Sequence, residues 1–431
     1  MSEALPPIIE HLIDQVPEHE GYPRPHELRT NLENLETKYR DDPDICAEFR
    51  EHVDSMGRFF EVFVIELTDA DPDAGVLYIK DDVHSNEHVA KGTMDHLAPR
   101  VLEEPKFMVQ LGLRQIIYYD AESESAERNG DQVYQGPLTT ELFLQGSHRS
   151  MTNIDYSYHL GSQAPPGTMA SMKIMEFYQP TVFFPGHCAA LNEGAYWLMS
   201  HDIPLLNEWL IALSDHEGIP RTSYGNTAAV LADGIFARRS SAEGKMSHEY
   251  LKKVAGLTAL AALSEGPYLL SQASEADTPP GQRLDQLGHM EDLVSIYQTV
   301  RDTIACDDLA PETQPHYDAV AGWLAEVEPY LAGVTNKPIA ELPQLDASLR
   351  QMLYFAVPLN SARQVAELSN KPKLARRAND KIIEIAQAVD EGLQPIGLRP
   401  RQLIALQVGT IAAAALAQKQ GLITAENNVV L

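Results

Sequence analysis

From about residue 58 onward, short runs rich in Val, Ile, Phe and Tyr alternate with longer segments of helical periodicity. Such alternation leaves few architectures open, because strands separated by helices pair mostly in parallel and need both sheet faces covered. Strands are expected at 59–67, 76–80, 107–111, 115–119, 181–184 and 257–263, with helices at 87–102, 167–179 and 203–215. After the turn-rich Asp277-Thr278-Pro279-Pro280-Gly281, strand signals nearly vanish, and 287–305, 317–332, 345–355, 361–391 and 401–421 read as helices. The fold class expected is α/β: a mixed, mostly parallel central sheet flanked by helices, with an additional helical C-terminal region. Residues 1–57, broken by Pro6, Pro7, Pro17, Pro23 and Pro25, read as an N-terminal extension packed on the core, 58–280 as the α/β domain and 281–431 as the helical region.

Composition narrows the partners. The 431-residue chain carries 62 Asp and Glu against 33 Lys and Arg, a formal charge of −29. Duplex binding needs a basic stripe, and no Lys/Arg cluster goes beyond short groups such as 371–377, so neither nucleic acid nor an anionic membrane is an expected partner. The three cysteines, Cys46, Cys188 and Cys306, are widely spread and argue against a disulfide scaffold. Residues 1–15 carry Glu3, Glu10 and Asp14 and lack the basic start and apolar run of a secretory signal, so a cytoplasmic location is expected. The apolar stretch 403–417 is too short to span a bilayer and reads as a buried helix.

Three places carry chemistry. His84-Ser85-Asn86-Glu87 follows the strand expected at 76–80, where a helix begins. A His and a Glu three apart at such a junction can aim both side chains at one point, the short-spacer half of a zinc site. On its own the tetrapeptide reads more readily as a solvated helix start with an acid near the positive end of the helix dipole. His187 stands in Phe183-Phe184-Pro185-Gly186-His187-Cys188, where an apolar strand ends, and a lone histidine there is more often a hydrogen-bonded structural residue. Glu265, in Ser264-Glu265-Gly266-Pro267-Tyr268, follows the apolar run 256–263 and could simply face solvent. What joins the three is a shared position just beyond the carboxyl end of an expected strand, the edge along which open α/β sheets place their ligand crevice. Two nitrogens and one carboxylate give zinc three protein ligands and leave a position for water, and Glu265 then supplies the base.

The order His84-x-x-Glu87, then His187 about a hundred residues on, then Glu265 about eighty further, resembles the zinc carboxypeptidases of the pancreatic type and their bacterial cytosolic branch. The segment 83–92, with Asn86 before Glu87, is similar to that family's first metal motif. The segment 180–197, with His187 and Asn192-Glu193-Gly194-Ala195-Tyr196-Trp197, is similar to the strand and loop of its second histidine, and 263–268 to the segment of its catalytic glutamate. The resemblance spans roughly residues 60–275.

It implies one Zn2+ per chain held by His84, Glu87 and His187, with Glu265 deprotonating the zinc-activated water and passing the proton to the departing amine. It also implies an arginine for the oxyanion, for which Arg128 in Glu127-Arg128-Asn129-Gly130 is the first candidate. Asn129 and Arg149, the latter in Ser147-His148-Arg149-Ser150, are candidates to bind substrate, Arg149 through a bidentate pair with an anionic group. Either arginine reads equally as a surface ion pair. The better-known carboxypeptidases grip the terminal carboxylate with an Asn-Arg dipeptide, and no such dipeptide stands near Arg149. Tyr250, in Ser247-His248-Glu249-Tyr250, is a candidate for the family's substrate-capping tyrosine. His148, His159 and His201 are expected to be structural or exposed, and Cys188 a small buried side chain.

The implied activity is that of a zinc-dependent hydrolase, a metallopeptidase of carboxypeptidase type, cleaving an amide bond to release an amino acid or small amine from a peptide or amino-acid conjugate. One alternative is an N-acyl amino acid deacylase similar to aspartoacylase or succinylglutamate desuccinylase, which share the first metal motif. Another is a non-catalytic binding protein on the same fold. The helical C-terminal region is a surface through which copies of the chain could form a homo-oligomer.

Overall fold

The computed structural model describes residues 4–81, 88–120, 139–146, 157–222, 229–238, 244–272, 280–304, 309–310, 313–335 and 349–429. The chain begins with helices α1 (Pro7–Asp14) and α2 (Pro25–Tyr39), strands β1 (Ile45–Val53), β2 (Phe59–Leu67) and β3 (Gly75–Asp81), helices α3 (Val89–Glu103) and α4 (Lys106–Leu111), and strand β4 (Leu113–Asp120). Helices α5 (Thr140–Gly146) and α6 (Pro166–Tyr178) lead to β5 (Val182–Pro185), β6 (His187–Asn192) and β7 (Tyr196–Met199). Then come α7 (Pro204–Glu217), β8 (Val230–Ala232), β9 (Ile235–Ala237), α8 (Ser247–Ala255) and β10 (Leu260–Leu270). The remainder is helical: α9 (Pro280–Thr303), α10 (Gln314–Thr335), α11 (Leu349–Ala356), α12 (Leu359–Leu368), α13 (Pro372–Leu393) and α14 (Pro400–Lys419), interrupted only by the two-residue β11 (Ile396–Gly397) among the described residues.

The strands form one mixed sheet in the order β1-β2-β4-β3-β5-β10-β7-β9-β8, with β6 and β11 also paired to β10. Its centre, β4-β3-β5-β10, is parallel. Antiparallel pairs β1/β2 and β2/β4 close one margin, and β10/β7 and β8/β9 the other. Every residue of β3, Gly-Val-Leu-Tyr-Ile-Lys-Asp, is buried, as a parallel strand covered on both faces requires. Strand alternation sorts its side chains: Leu77 and Ile79 join the large core on one face, and Val76 and Tyr78 join a smaller one with Ile174, Met175 and Leu251 on the other. Helices therefore cover both faces.

The large face is organised around α14, which is buried at every position from Leu403 to Ala417 and touches α1, α3, α7 and β10. A helix that is apolar all round has no solvent face to offer and becomes an interior element. Its glycine lets α7 approach closely, since a Cβ on Gly409 would lie 2.6 Å from Leu213 Cδ1.

Several expectations change. Residues 107–111, expected as a strand, lie in helix α4: Phe107, Met108 and Leu111 are buried while Val109 is exposed, a helical spacing, and Gly112 at φ +72° forms its left-handed cap. The helix expected at 361–391 is two helices, divided where Asn370 takes φ +54° and Pro372 opens α13. The strand expected to end at 263 runs on to Leu270, so Glu265 lies within β10 and not beyond it. β1 lies inside the N-terminal segment 1–57 and pairs along its whole length with β2.

Candidate functional site

The site is built where β3 and β5 end side by side. The Gly186 N–H donates to Lys80 O at 2.8 Å, tying the β5–β6 junction to the penultimate residue of β3. Position 186 has no room for a side chain: a Cβ there would lie 2.3 Å from Ala90 Cβ, in the first turn of α3. That close approach brings the start of α3 against the backbone that leads directly into His187.

From Gly186 the chain enters β6, which pairs in parallel with β10 so that His187 stands opposite Glu265. His187 Nδ1 and Glu265 Oε1 are 3.6 Å apart, and their side chains are 6% and 14% exposed. This separation exceeds a hydrogen bond. An imidazole that can serve as a zinc ligand thus stands beside a carboxylate placed to act as a base. His84 and Glu87, which follow β3 and precede α3, lie outside the described residues, as do Arg128, Asn129, Arg149 and His148.

Four hydrogen bonds fix the surroundings. The His88 N–H, immediately after the His84–Glu87 motif, donates to Tyr268 Oη of β10 at 2.8 Å. Cys188 Sγ donates to Gly266 O at 2.7 Å and is buried, so it serves as a core thiol. Gln407 of α14 donates through Nε2 to His187 O at 2.9 Å and accepts from Thr93 Oγ1 of α3 at 3.0 Å.

Sequence reasoning passed over a set of buried charges at the same strand end. Lys80, Asp81 and Lys91 are each fully buried. Lys91 Nζ lies 3.3 Å from Asp81 Oδ2 and 4.0 Å from Asp120 Oδ1, and Tyr118 Oη donates to Asp81 Oδ2 at 2.6 Å. On the opposite face Lys80 Nζ donates to Tyr158 Oη at 3.2 Å, which donates in turn to Ser171 Oγ at 2.9 Å. The available signal was a Lys-Asp pair closing an otherwise apolar strand. Ions placed in the interior require such partners.

Tyr250 sits on that opposite face, on α8. Its hydroxyl donates to Glu176 Oε1 at 2.5 Å and its ring lies 5.6 Å from that of Tyr158. Burial, reinforced by the Glu176 carboxylate, pushes its pKa well up. His159 is exposed, and His201 is a buried structural residue bridging Ser200 Oγ and Leu257 O, both at 2.8 Å. A cavity of about 510 Å³ bounded by Leu28, Arg29, Phe49, Phe60, Tyr118 and Asp120 lies toward the β1–β2 margin, and neither His187 nor Glu265 lines it.

No family model matches the sequence, and no curated protein matches it. Solved structures do. One is a protein of Shewanella denitrificans described as a candidate metallopeptidase, 14% identical, aligned over 56% of this chain and 81% of its own, with a TM-score of 0.38. Another is a metallo-carboxypeptidase from Pseudomonas aeruginosa, 14% identical over 57% of this chain and 60% of its own, TM-score 0.35. A third is an aspartoacylase family protein from Mesorhizobium loti, 12% identical over 53% and 62%, TM-score 0.31. All three are distant likenesses. Among the described residues no helix is long and apolar enough to cross a membrane.

Proposed function

We propose that the chain is a zinc-dependent amide hydrolase acting on a peptide or amino-acid conjugate. The observation that carries this reading is the pairing of His187 with Glu265, 3.6 Å apart and largely buried, beside the strand that leads into His84-Ser85-Asn86-Glu87. His84, Glu87 and His187 would hold the ion. A bound zinc supplies a Lewis acid for the scissile carbonyl and lowers the pKa of water toward 7.

The protein's own residues do the rest. Glu265 takes a proton at a carboxylate oxygen from the water that attacks the carbonyl carbon. It then delivers that proton to the amine nitrogen, so that the C–N bond breaks and a carboxylic acid and an amine leave. Arg128 is assigned to the oxyanion and Asn129 and Arg149 to the polar end of the substrate; Tyr250 is assigned to the substrate cap, for which it would have to leave Glu176. A second reading is hydrolysis of an N-acyl amino acid, whose scissile amide and free carboxylate present the same groups to these residues.

Metal analysis of the purified protein is expected to find about one zinc per chain. Glu265→Gln should retain the metal and lower turnover by roughly 10²- to 10⁴-fold, whereas His187→Ala should weaken metal binding. A protein that neither carries nor takes up metal would overturn the assignment. Mass-spectrometric screening against peptides and N-acyl amino acids distinguishes the two substrate classes. Loss of every turnover with metal retained would leave a binding protein.

A further inference from the structure

We propose that Gln407 is a positioning residue for the metal site, clamping the helix that follows its first motif to the strand that carries its second histidine. This rests on the zinc hydrolase reading above. Gln407 is 2% exposed and sits in the middle of α14, within a run that is otherwise almost wholly apolar. Its orientation is fixed by chemistry. The His187 carbonyl can only accept, so Nε2 must face it, leaving Oε1 for the hydroxyl of Thr93. Thr93 shares its one proton between Gln407 Oε1 and Val89 O, both at 3.0 Å.

One amide therefore spans two segments that are far apart in sequence. Gln407 lies 220 residues from His187 and 314 from Thr93. Thr93 stands in the second turn of α3, the helix that follows the His84–Glu87 motif in the chain, so the amide sets the height of that helix against β6. The same helix holds the third segment: a Cβ on Gly266, next to Glu265, would lie 2.6 Å from Leu403 Cδ2. Burying an amide in an apolar helix costs free energy that an apolar side chain of the same length would avoid. A fully satisfied buried network does what apolar contact cannot, which is to fix one relative register.

The test uses the full-length protein and two probes, zinc alone and cobalt(II) alone. Gln407→Met keeps length and volume and removes both hydrogen bonds. The expected result is a folded variant whose zinc Kd, measured by competition with a chromophoric chelator, is weaker by roughly 10- to 100-fold, the usual effect of losing a partner behind the ligands. Its cobalt absorption bands should shift as well. A lowered melting temperature with unchanged zinc Kd and cobalt spectrum would mean a purely structural role and overturn the proposal. If Gln407→Met does not fold, Thr93→Val against Thr93→Ser decides: the serine should keep wild-type affinity and the valine lose it, and equal affinities overturn the proposal. Wild-type protein that binds neither ion overturns this inference together with the hydrolase reading, whereas metal binding equal in wild type and variants overturns this inference alone.

Discussion

At Gly186 a single hydrogen atom stands where any other residue would place a carbon 2.3 Å from Ala90 Cβ. Neither backbone can yield cheaply, because one belongs to the first turn of α3 and the other is hydrogen-bonded to β3. Gly186→Ala is therefore expected to destabilise the fold by about 1–3 kcal/mol, the usual cost of overfilling a packed site. Denaturant midpoints would measure it, and Ala90→Gly in the same chain should recover part of the loss, a non-additivity confined to touching residues. A Gly186→Ala midpoint equal to wild type would mean that the approach is not tight. His187 and Glu265 were legible in the sequence because their residue types and strand-end position suggest a shared edge. The exact place of Glu265 was not: Glu-Gly-Pro reads as the end of a strand, yet β10 continues by exchanging β5 for β6 as its parallel partner. Gln407 was illegible for another reason, since nothing local tells which carbonyl a buried amide meets 220 residues away.

Element by element, periodicity found the central strands and the flanking helices and failed where local chemistry overrode it. β1 reads Ile-Cys-Ala-Glu-Phe-Arg-Glu-His-Val, too charged for a buried strand, because it is an edge. Its Arg50 pairs with Glu66 across the sheet at 2.7 Å and with Glu48 at 2.6 Å. Two prolines that read as breaks, Pro7 and Pro25, are helix openings, and Pro166, Pro204, Pro372 and Pro400 likewise lie in a first turn, where the missing N–H has no partner to lose. The apolar run at 403–417 was recognised as a buried helix, but not as the central one. A chain ending at Arg399 loses the wall against which α1, α3, α7 and β10 pack, together with the Trp197 indole's bond to Thr410 Oγ1 at 2.9 Å. Such a chain should bind hydrophobic dye and show no cooperative thermal transition. A sharp melt close to that of the full chain would show that α14 is dispensable.

At the scale of the whole molecule, the charge of −29 set expectations about partners but placed no residue. Loss of stability in acid follows instead from buried and half-buried histidines. Burial lowers the pKa of His96 to about 4, and it lowers those of His19, His52, His201 and His316 as well. With an unfolded value of 6.5 above the folded one, the unfolded chain binds more protons as pH falls through that window, so stability present above pH 6.5 is lost on acidification. For His96 the loss is on the order of 3 kcal/mol by the time pH reaches its folded value. Urea titrations between about pH 6.5 and 5, above most carboxylate titration, should show this slope, and His96→Gln should flatten it. An unchanged slope would assign the acid sensitivity elsewhere.

The position of α14 also sets a timetable. Arg401 reaches Ile13 O at 3.5 Å across 388 residues of chain. At about 5–20 residues per second a ribosome takes roughly 20–80 seconds between making the two. For that interval the apolar face of α1 waits without the helix that covers it, and those of α3 and β10 wait for the shorter times after they are made. The backbone supports of His187 and Gly266 by α14 cannot form on the shorter nascent chain, so the geometry at Glu265 is acquired only after residues 400–419 have left the ribosome.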